Sequence, residues 1–204
     1  MPRFFAKFPP PNWRHDTRIY IEDVVCPQDD DEAIAAVICK NPGSAKAAGG
    51  ACAHCGYHGL GNGDPTLREI AKIFGAAINL RCPQGGPLKG DYIQVLNLDY
   101  WCESDVDLLK RHLKANPGRD DDPAEDKTFP VIWAAWGGDD TVLNGLKKRF
   151  LKSGGQWLYW DYRQMNVTIG RPGVNSPVKH PERRPPKFAI DHKIFVPALA
   201  PLLG

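Results

Sequence analysis

No long hydrophobic run exists in this chain. Nowhere in its 204 residues do apolar side chains continue for the ~20 residues that a membrane-spanning helix needs. The amino-terminal Met1-Pro2-Arg3-Phe4-Phe5-Ala6-Lys7 also lacks the longer apolar core of a secretory signal. These two absences lead to the expectation of a soluble, cytoplasmic protein without a membrane partner. A dominant charge is missing too: 26 Lys and Arg against 24 Asp and Glu leave a formal net charge of +2, so bulk electrostatics names no partner. Internal repeats are absent. The six cysteines are unevenly spaced in a chain long enough to build a core without covalent staples. That favours reduced thiols or a metal site over a disulfide framework.

What is present suits a single domain over residues 1–204, 42% of them hydrophobic. Residues 1–17 are aromatic, basic and Pro-rich and are expected to form a surface arm. Residues 18–165 are expected to form the core, and the Pro-, Gly- and Arg-rich segment 166–204 to hold little secondary structure. Acid gathers at Asp29-Asp30-Asp31-Glu32 and at Asp120 to Asp126, and base gathers after Arg171.

Between these ends, strand and helix patterns alternate. Arg18 to Val25 has the content of a short strand, expected at an edge. Ala33 to Lys40, Tyr92 to Asp99, Val131 to Gly138 and Trp157 to Trp160 read as buried strands. Asp64 and Pro65 open a helix with Leu67, Ile70, Ala71 and Phe74 on one side and Gly75 as its stop. Ser104 caps a second helix to Lys114, Thr141 to Leu151 forms a third, and the acidic run to Lys127 reads as a solvated loop. Alternation of this kind predicts an α/β fold, a three-layer α/β/α sandwich around a mostly parallel sheet. Trp133, Trp136, Trp157 and Trp160 belong in its core.

The apolar run of the first buried strand stops abruptly in Asn41-Pro42-Gly43-Ser44-Ala45. A polar loop at the carboxyl end of a buried strand lies where open α/β sheets bind ligands. Asn97 ends the next strand in the same way, and His180-Pro181 follows the last one. Asn-Pro-Gly, a mid-chain Asn and a late His-Pro, in that order, resemble the motifs of the uracil-DNA glycosylase superfamily. With Asp64-Pro65-Thr66-Leu67-Arg68, Leu96-Asn97-Leu98, Ala135-Trp136-Gly137 and Pro177-Val178-Lys179-His180-Pro181, the chain looks closest to an uncharacterised bacterial and phage branch related to it. The likeness spans roughly residues 20–185. Residues 45–64 and 80–91 look inserted, which bears on the shape of the pocket.

The resemblance implies a DNA glycosylase, a monomer acting on DNA and so associated with the nucleoid. It would flip out a modified base and hydrolyse its N-glycosidic bond, leaving an abasic site. Asn41 would hold the hydrolytic water, with Pro42, Gly43 and Ser44 shaping the loop against the substrate. Asn97 would read the base edge, and His180 would stabilise the departing base. Lys179, Arg183 and Arg184 would meet DNA phosphates, and no metal is needed for the chemistry. Read without the resemblance, Asn41 can be a turn residue, Asn97 can satisfy local backbone, and His180 can sit on a solvated basic tail.

Cys52-Ala53-His54-Cys55-Gly56-Tyr57-His58 carries a second possibility. Two thiols at this spacing with a nearby His suit a structural zinc, with Cys52, Cys55, His58 and Cys82 as the ligand set and Cys39 as a substitute. An iron–sulfur cluster, which some members of the superfamily carry, fits the spacing less well. Alternatively the loop lines the pocket, Tyr57 or His58 stacks on the base, and Ala47, Ala48, Gly49 and Gly50 leave room for a bulky modified pyrimidine, such as glucosylated hydroxymethylcytosine of phage DNA in an anti-phage role. The alternatives to a glycosylase are a non-catalytic nucleic-acid or nucleotide binder of the same fold and a zinc-containing interaction protein.

Overall fold

The computed structural model describes residues 1–203 except 11, 44–45, 62–63, 84–90, 104, 116–120, 139–140 and 182–188. Among the described residues, eight strands form one sheet. They are β1 (Arg3–Lys7), β2 (His15–Tyr20), β3 (Ala33–Cys39), β4 (His58–Gly59), β5 (Tyr92–Asn97), β6 (Val131–Ala134), β7 (Gln156–Asp161) and β8 (Asn166–Ile169). Their order across the sheet is β4-β1-β2-β5-β3-β6-β7-β8. The α/β class is as expected, but the mostly parallel sheet is not. Only β5-β3-β6-β7 run parallel, and four of the seven pairings are antiparallel.

The difference comes from the chain's two ends. Residues 1–17 are not a surface arm: β1 and the start of β2 lie inside the sheet. Phe4 and Ala6 enter one core cluster and Phe5 another, as alternate residues of a strand covered on both sides must. The strand expected at an edge is β2, and it sits between β1 and β5. At the other end β8 pairs with β7, and α4 (His192–Leu199) docks on the sheet despite Pro197 within it.

The parallel strands are buried on both faces, which is why they read as unbroken apolar runs. On one face Val37, Val95, Trp133 and Leu158 meet α1 (Pro65–Arg81) and α4. Trp133 lies with its ring centroid 6.3 Å from Phe74 and 4.7 Å from Phe195. On the other face Ile38, Leu96, Ile132, Ala134, Trp157 and Tyr159 meet Leu143 and Phe150, the latter from α3 (Asn144–Phe150), with Leu113 of α2 (Val106–Ala115) against the same cluster. All four tryptophans expected in the core are buried.

Helix α1 starts where the sequence placed it. The Asp64 carboxylate accepts the Thr66 and Leu67 N–H groups at 3.0 and 3.2 Å, and Pro65 occupies the first turn. It does not stop at Gly75 but runs on to Arg81, because Ala77 and Ile78 continue the apolar stripe and outweigh the ~1 kcal/mol a helical glycine costs. The acidic run is not simply solvated either. Pro123–Asp126 form a 3-10 turn capped by buried Asp122, whose carboxylate accepts the N–H groups of Ala124 at 2.9 Å and Asp16 at 2.6 Å.

Candidate functional site

The carboxyl ends of β5, β3 and β6 are neighbours in the sheet, and each carries one feature of the expected site. Asn97 is the last residue of β5, in register with Cys39 at the end of β3. Asn41 follows two residues later in the chain. His180 lies over the end of β6: a Cβ added to Gly137 would come within 2.7 Å of its Cβ. Gly137 has φ +69°, which a side chain would strain. The segment bearing His180 is laid along the sheet by backbone bonds from Gly138 N–H to Val178 O (2.9 Å), Lys179 N–H to Trp160 O (3.0 Å) and Tyr162 N–H to Pro177 O (3.0 Å). Three distant stretches of sequence therefore end on one rim.

Each amide on this rim is held differently. Asn41 donates from Nδ2 to the Glu103 carbonyl. That carbonyl is itself positioned by a clasp between the two ends of the chain's first half. In it Cys102 N–H donates to Asn12 O (2.9 Å), Asn12 Nδ2 donates back to Cys102 O (2.9 Å), and Arg14 N–H donates to Tyr100 O (3.0 Å). Trp13 and Trp101 meet edge to face in the same clasp, with His112 of α2 stacked on Trp101 at 4.2 Å. Asn97 is buried, and both its Oδ1 and Nδ2 lack a partner among the described residues. It projects to the α1 side, as alternation from Ile93 and Val95 requires.

A buried charge pair borders the same rim. Arg14 donates from Nη1 to Asp64 Oδ2 at 3.2 Å, so the start of α1 is closed by its own cap and by a guanidinium. Burial pushes the Cys39 thiol up to about 12, with Asp64 adding to the rise and Arg14 opposing it. Cys39 lies in the core cluster, apart from the described thiols that could hold a metal ion.

Other expected site residues lie elsewhere. Tyr57 is buried on the opposite face of the antiparallel strands, donates its hydroxyl to Asp16, and is covered by the Lys7 ammonium at 4.6 Å and the Arg18 guanidinium at 4.8 Å. It has no free face for a base. His58 lies in β4 at the far edge of the sheet, with Nδ1 3.3 Å from Gly49 O and its ring edge-on to Phe8. The small residues Ala47 to Gly50 are exposed beside it, so they do not open a cavity beneath Asn41. Lys179 is buried and cannot offer its ammonium to a phosphate in this arrangement. Pro42 is buried, and Gly43 turns at φ +67°. Ser44, Arg183, Arg184 and the capping residue Ser104 lie outside the described residues.

The thiols form a different set from the one expected. Cys26 Sγ lies 2.6 Å from Cys52 Sγ and 2.7 Å from Cys55 Sγ, and these three could hold a metal ion. Among the described residues neither His58 nor Cys82 belongs to the group; Cys82 ends α1 instead. Cys26 escaped the sequence reading because nothing local pairs it with the Cys-x-x-Cys turn. The neighbouring Pro27 and the unassigned thiol were the available signals. Arg14 was missed as well, since a charged residue in a strand-poor basic stretch reads as solvated.

Compared with models of known families, with curated proteins and with solved structures, the chain matches none. No helix among the described residues is long and apolar enough to cross a membrane.

Proposed function

We propose that this chain is a DNA glycosylase with a uracil-DNA glycosylase-like three-layer architecture. It turns a modified pyrimidine nucleotide out of DNA and hydrolyses its N-glycosidic bond. The observation that carries this reading is Asn97. An amide buried at the end of a rigid strand, with neither donor nor acceptor used among the described residues, bears a penalty of about 1–3 kcal/mol for each unmade bond. A base edge offering one acceptor and one donor would relieve it on binding.

Asn41 would act from the next strand end. Its Nδ2 is spent on Glu103, which fixes the amide and turns Oδ1 into the group that accepts from a water. That water adds to the sugar carbon as the C–N bond breaks, the bonding pair leaves with the base, and the water's proton passes to the departing base or to solvent. His180, lying over the third strand end, donates to the base as negative charge develops there. The reaction so written uses no metal, and an ion at the thiol cluster would be structural. Hydroxymethylated pyrimidines, with or without glucose, of the kind phages use to mask their DNA are the substrates we favour.

The test is incubation with single- and double-stranded DNA carrying uracil, hydroxymethylcytosine or glucosylated hydroxymethylcytosine, followed by alkaline scission at abasic sites. Asn41→Ala should lower the rate about 100-fold or more while DNA binding persists. Gly137→Ala, whose methyl displaces His180, should also lower it. Unimpaired scission by Asn41→Ala, or DNA binding without abasic sites on any substrate, would sink the reading; the second result leaves a non-catalytic binder.

A further inference from the structure

The three thiols sit apart from the rim, and the backbone around them is shaped for more than packing. Cys52 and Cys55 bracket a tight turn in which Gly56, at φ +69°, donates its N–H to Cys52 O at 2.9 Å. Cys52 N–H closes the loop on Tyr57 O at 2.7 Å. Cys26, Cys52 and Cys55 together bring three sulfur ligand atoms within 4.8 Å of one another. Cys26 arrives from the loop between β2 and β3, 26 and 29 residues away in sequence from its two partners.

We propose that Cys26, Cys52 and Cys55 bind one zinc ion as thiolates, and that this ion fastens the β2–β3 loop to the loop preceding β4. Three sulfur donors, one from a remote loop and two from a Cys-x-x-Cys turn, select a soft tetrahedral ion. The fourth ligand is not among the described His, Cys, Asp and Glu side chains. The consequence is structural. Among the described residues, Tyr57 packs on one face of β1 and β2 with Phe5, Tyr20 and Tyr92, Arg18 lies over the Tyr57 and Tyr92 rings, and Val24 of the β2–β3 loop joins them. Cys55 packs directly against that cluster. Joining the loops through zinc holds this cover shut, just as a metal clip stabilises small folds elsewhere.

The test uses the full chain purified under reducing conditions, with zinc measured by elemental analysis and thiols counted after denaturation. One zinc per chain is expected. Cys26→Ser should lower zinc content at least tenfold, whereas Cys82→Ser should leave it unchanged. Cobalt exchanged into the wild-type chain should give intense thiolate-to-metal absorption, a readout that holds even if Cys26→Ser fails to fold. A thiol count short by two with no zinc would show a disulfide, and stoichiometric iron with sulfide would show a cluster; either overturns the proposal, as does full zinc retention in Cys26→Ser. None of these readouts depends on glycosylase activity.

Discussion

On the parallel side of the sheet, Trp133 lies between Phe74 and Phe195; on the antiparallel side, Arg18 is buried just as deeply between Tyr57 and Tyr92. The first site is held by shape and apolar area. The second is held by a charge with assigned partners. Arg18 Nε and Nη2 donate to Asp16 at 3.1 and 3.4 Å, and Nη1 donates to the Gln28 carbonyl at 3.0 Å. Burial alone would raise the Asp16 pKa, but the Tyr57 hydroxyl and the Arg18 guanidinium more than offset it and hold the carboxyl low. The packing around Trp133 thus rests on apolar contact, and that around Arg18 on ionisation states.

Truncating each centre should expose the difference. Trp133→Ala leaves a large void and should cost about 3–5 kcal/mol. Arg18→Ala leaves the buried Asp16 carboxylate with only the Tyr57 hydroxyl and the Lys7 ammonium at 3.9 Å among its described side-chain partners, and should cost about the same at neutral pH. The losses part company in acid. Protonating Asp16 removes the buried charge, so the Arg18→Ala penalty should shrink between pH 7 and 4 while the Trp133→Ala penalty stays level. Urea unfolding at the two pH values measures this; parallel behaviour of the two variants would show that the halves are held alike.

Asp122 offers a smaller contrast at the seam between the halves. Burial raises its carboxyl pKa to about 6, partly countered by the N–H groups of Ala124 and Asp16. The folded state therefore keeps this proton longer than the unfolded chain. Its contribution is most favourable below the ordinary carboxylate range and declines as pH rises to about 6, by about 3 kcal/mol for a shift of roughly two units. Asp16, with its folded pKa lowered, works the other way: its stabilisation is present above the ordinary range and fades as pH falls through the folded value. Asp122→Asn should remove the decline between pH 4 and 6. A stability profile of unchanged slope in that window would refute the assignment.

The same contrast explains which parts of the fold could be read from sequence. Ala33 to Cys39 and Val131 to Ala134 announce themselves because strands buried on both faces are apolar throughout. β2, His-Asp-Thr-Arg-Ile-Tyr, does not, because four of its six side chains are ionisable and its burial depends on partners from three other segments, at Gln28, Tyr57 and Asp122. α4 was hidden by Pro197, and the reach of α1 by Gly75, where tertiary contact overrides propensity. The positions of Asn41 and Asn97 beside strand ends were legible because such ends are marked by sharp polar breaks, whereas the placement of His180 over Gly137 is made by tertiary packing. The sequence gives no comparable mark for Cys26, Tyr57 or Lys179, whose surroundings are set wholly by chain segments far from them.

The smallest expected effect lies beside the thiol cluster. Arg3 Nε donates to Asp23 Oδ1 at 2.6 Å, joining β1 to the loop that carries Cys26, but the two side chains are 56% and 65% exposed. Water and salt screen such a pair, and ordering two mobile side chains offsets much of the attraction. The loop has firmer ties: Gln28 N–H to Asp31 at 2.7 Å, Tyr20 to the same carboxylate at 2.5 Å, and the Cys26 sulfur among its partners. Arg3→Ala should consequently leave the melting temperature and zinc content where they were, at low and high salt alike. A resolved loss of either would mean that the loop is positioned from outside, by a surface charge, and that the thiols meet only because Arg3 brings them together.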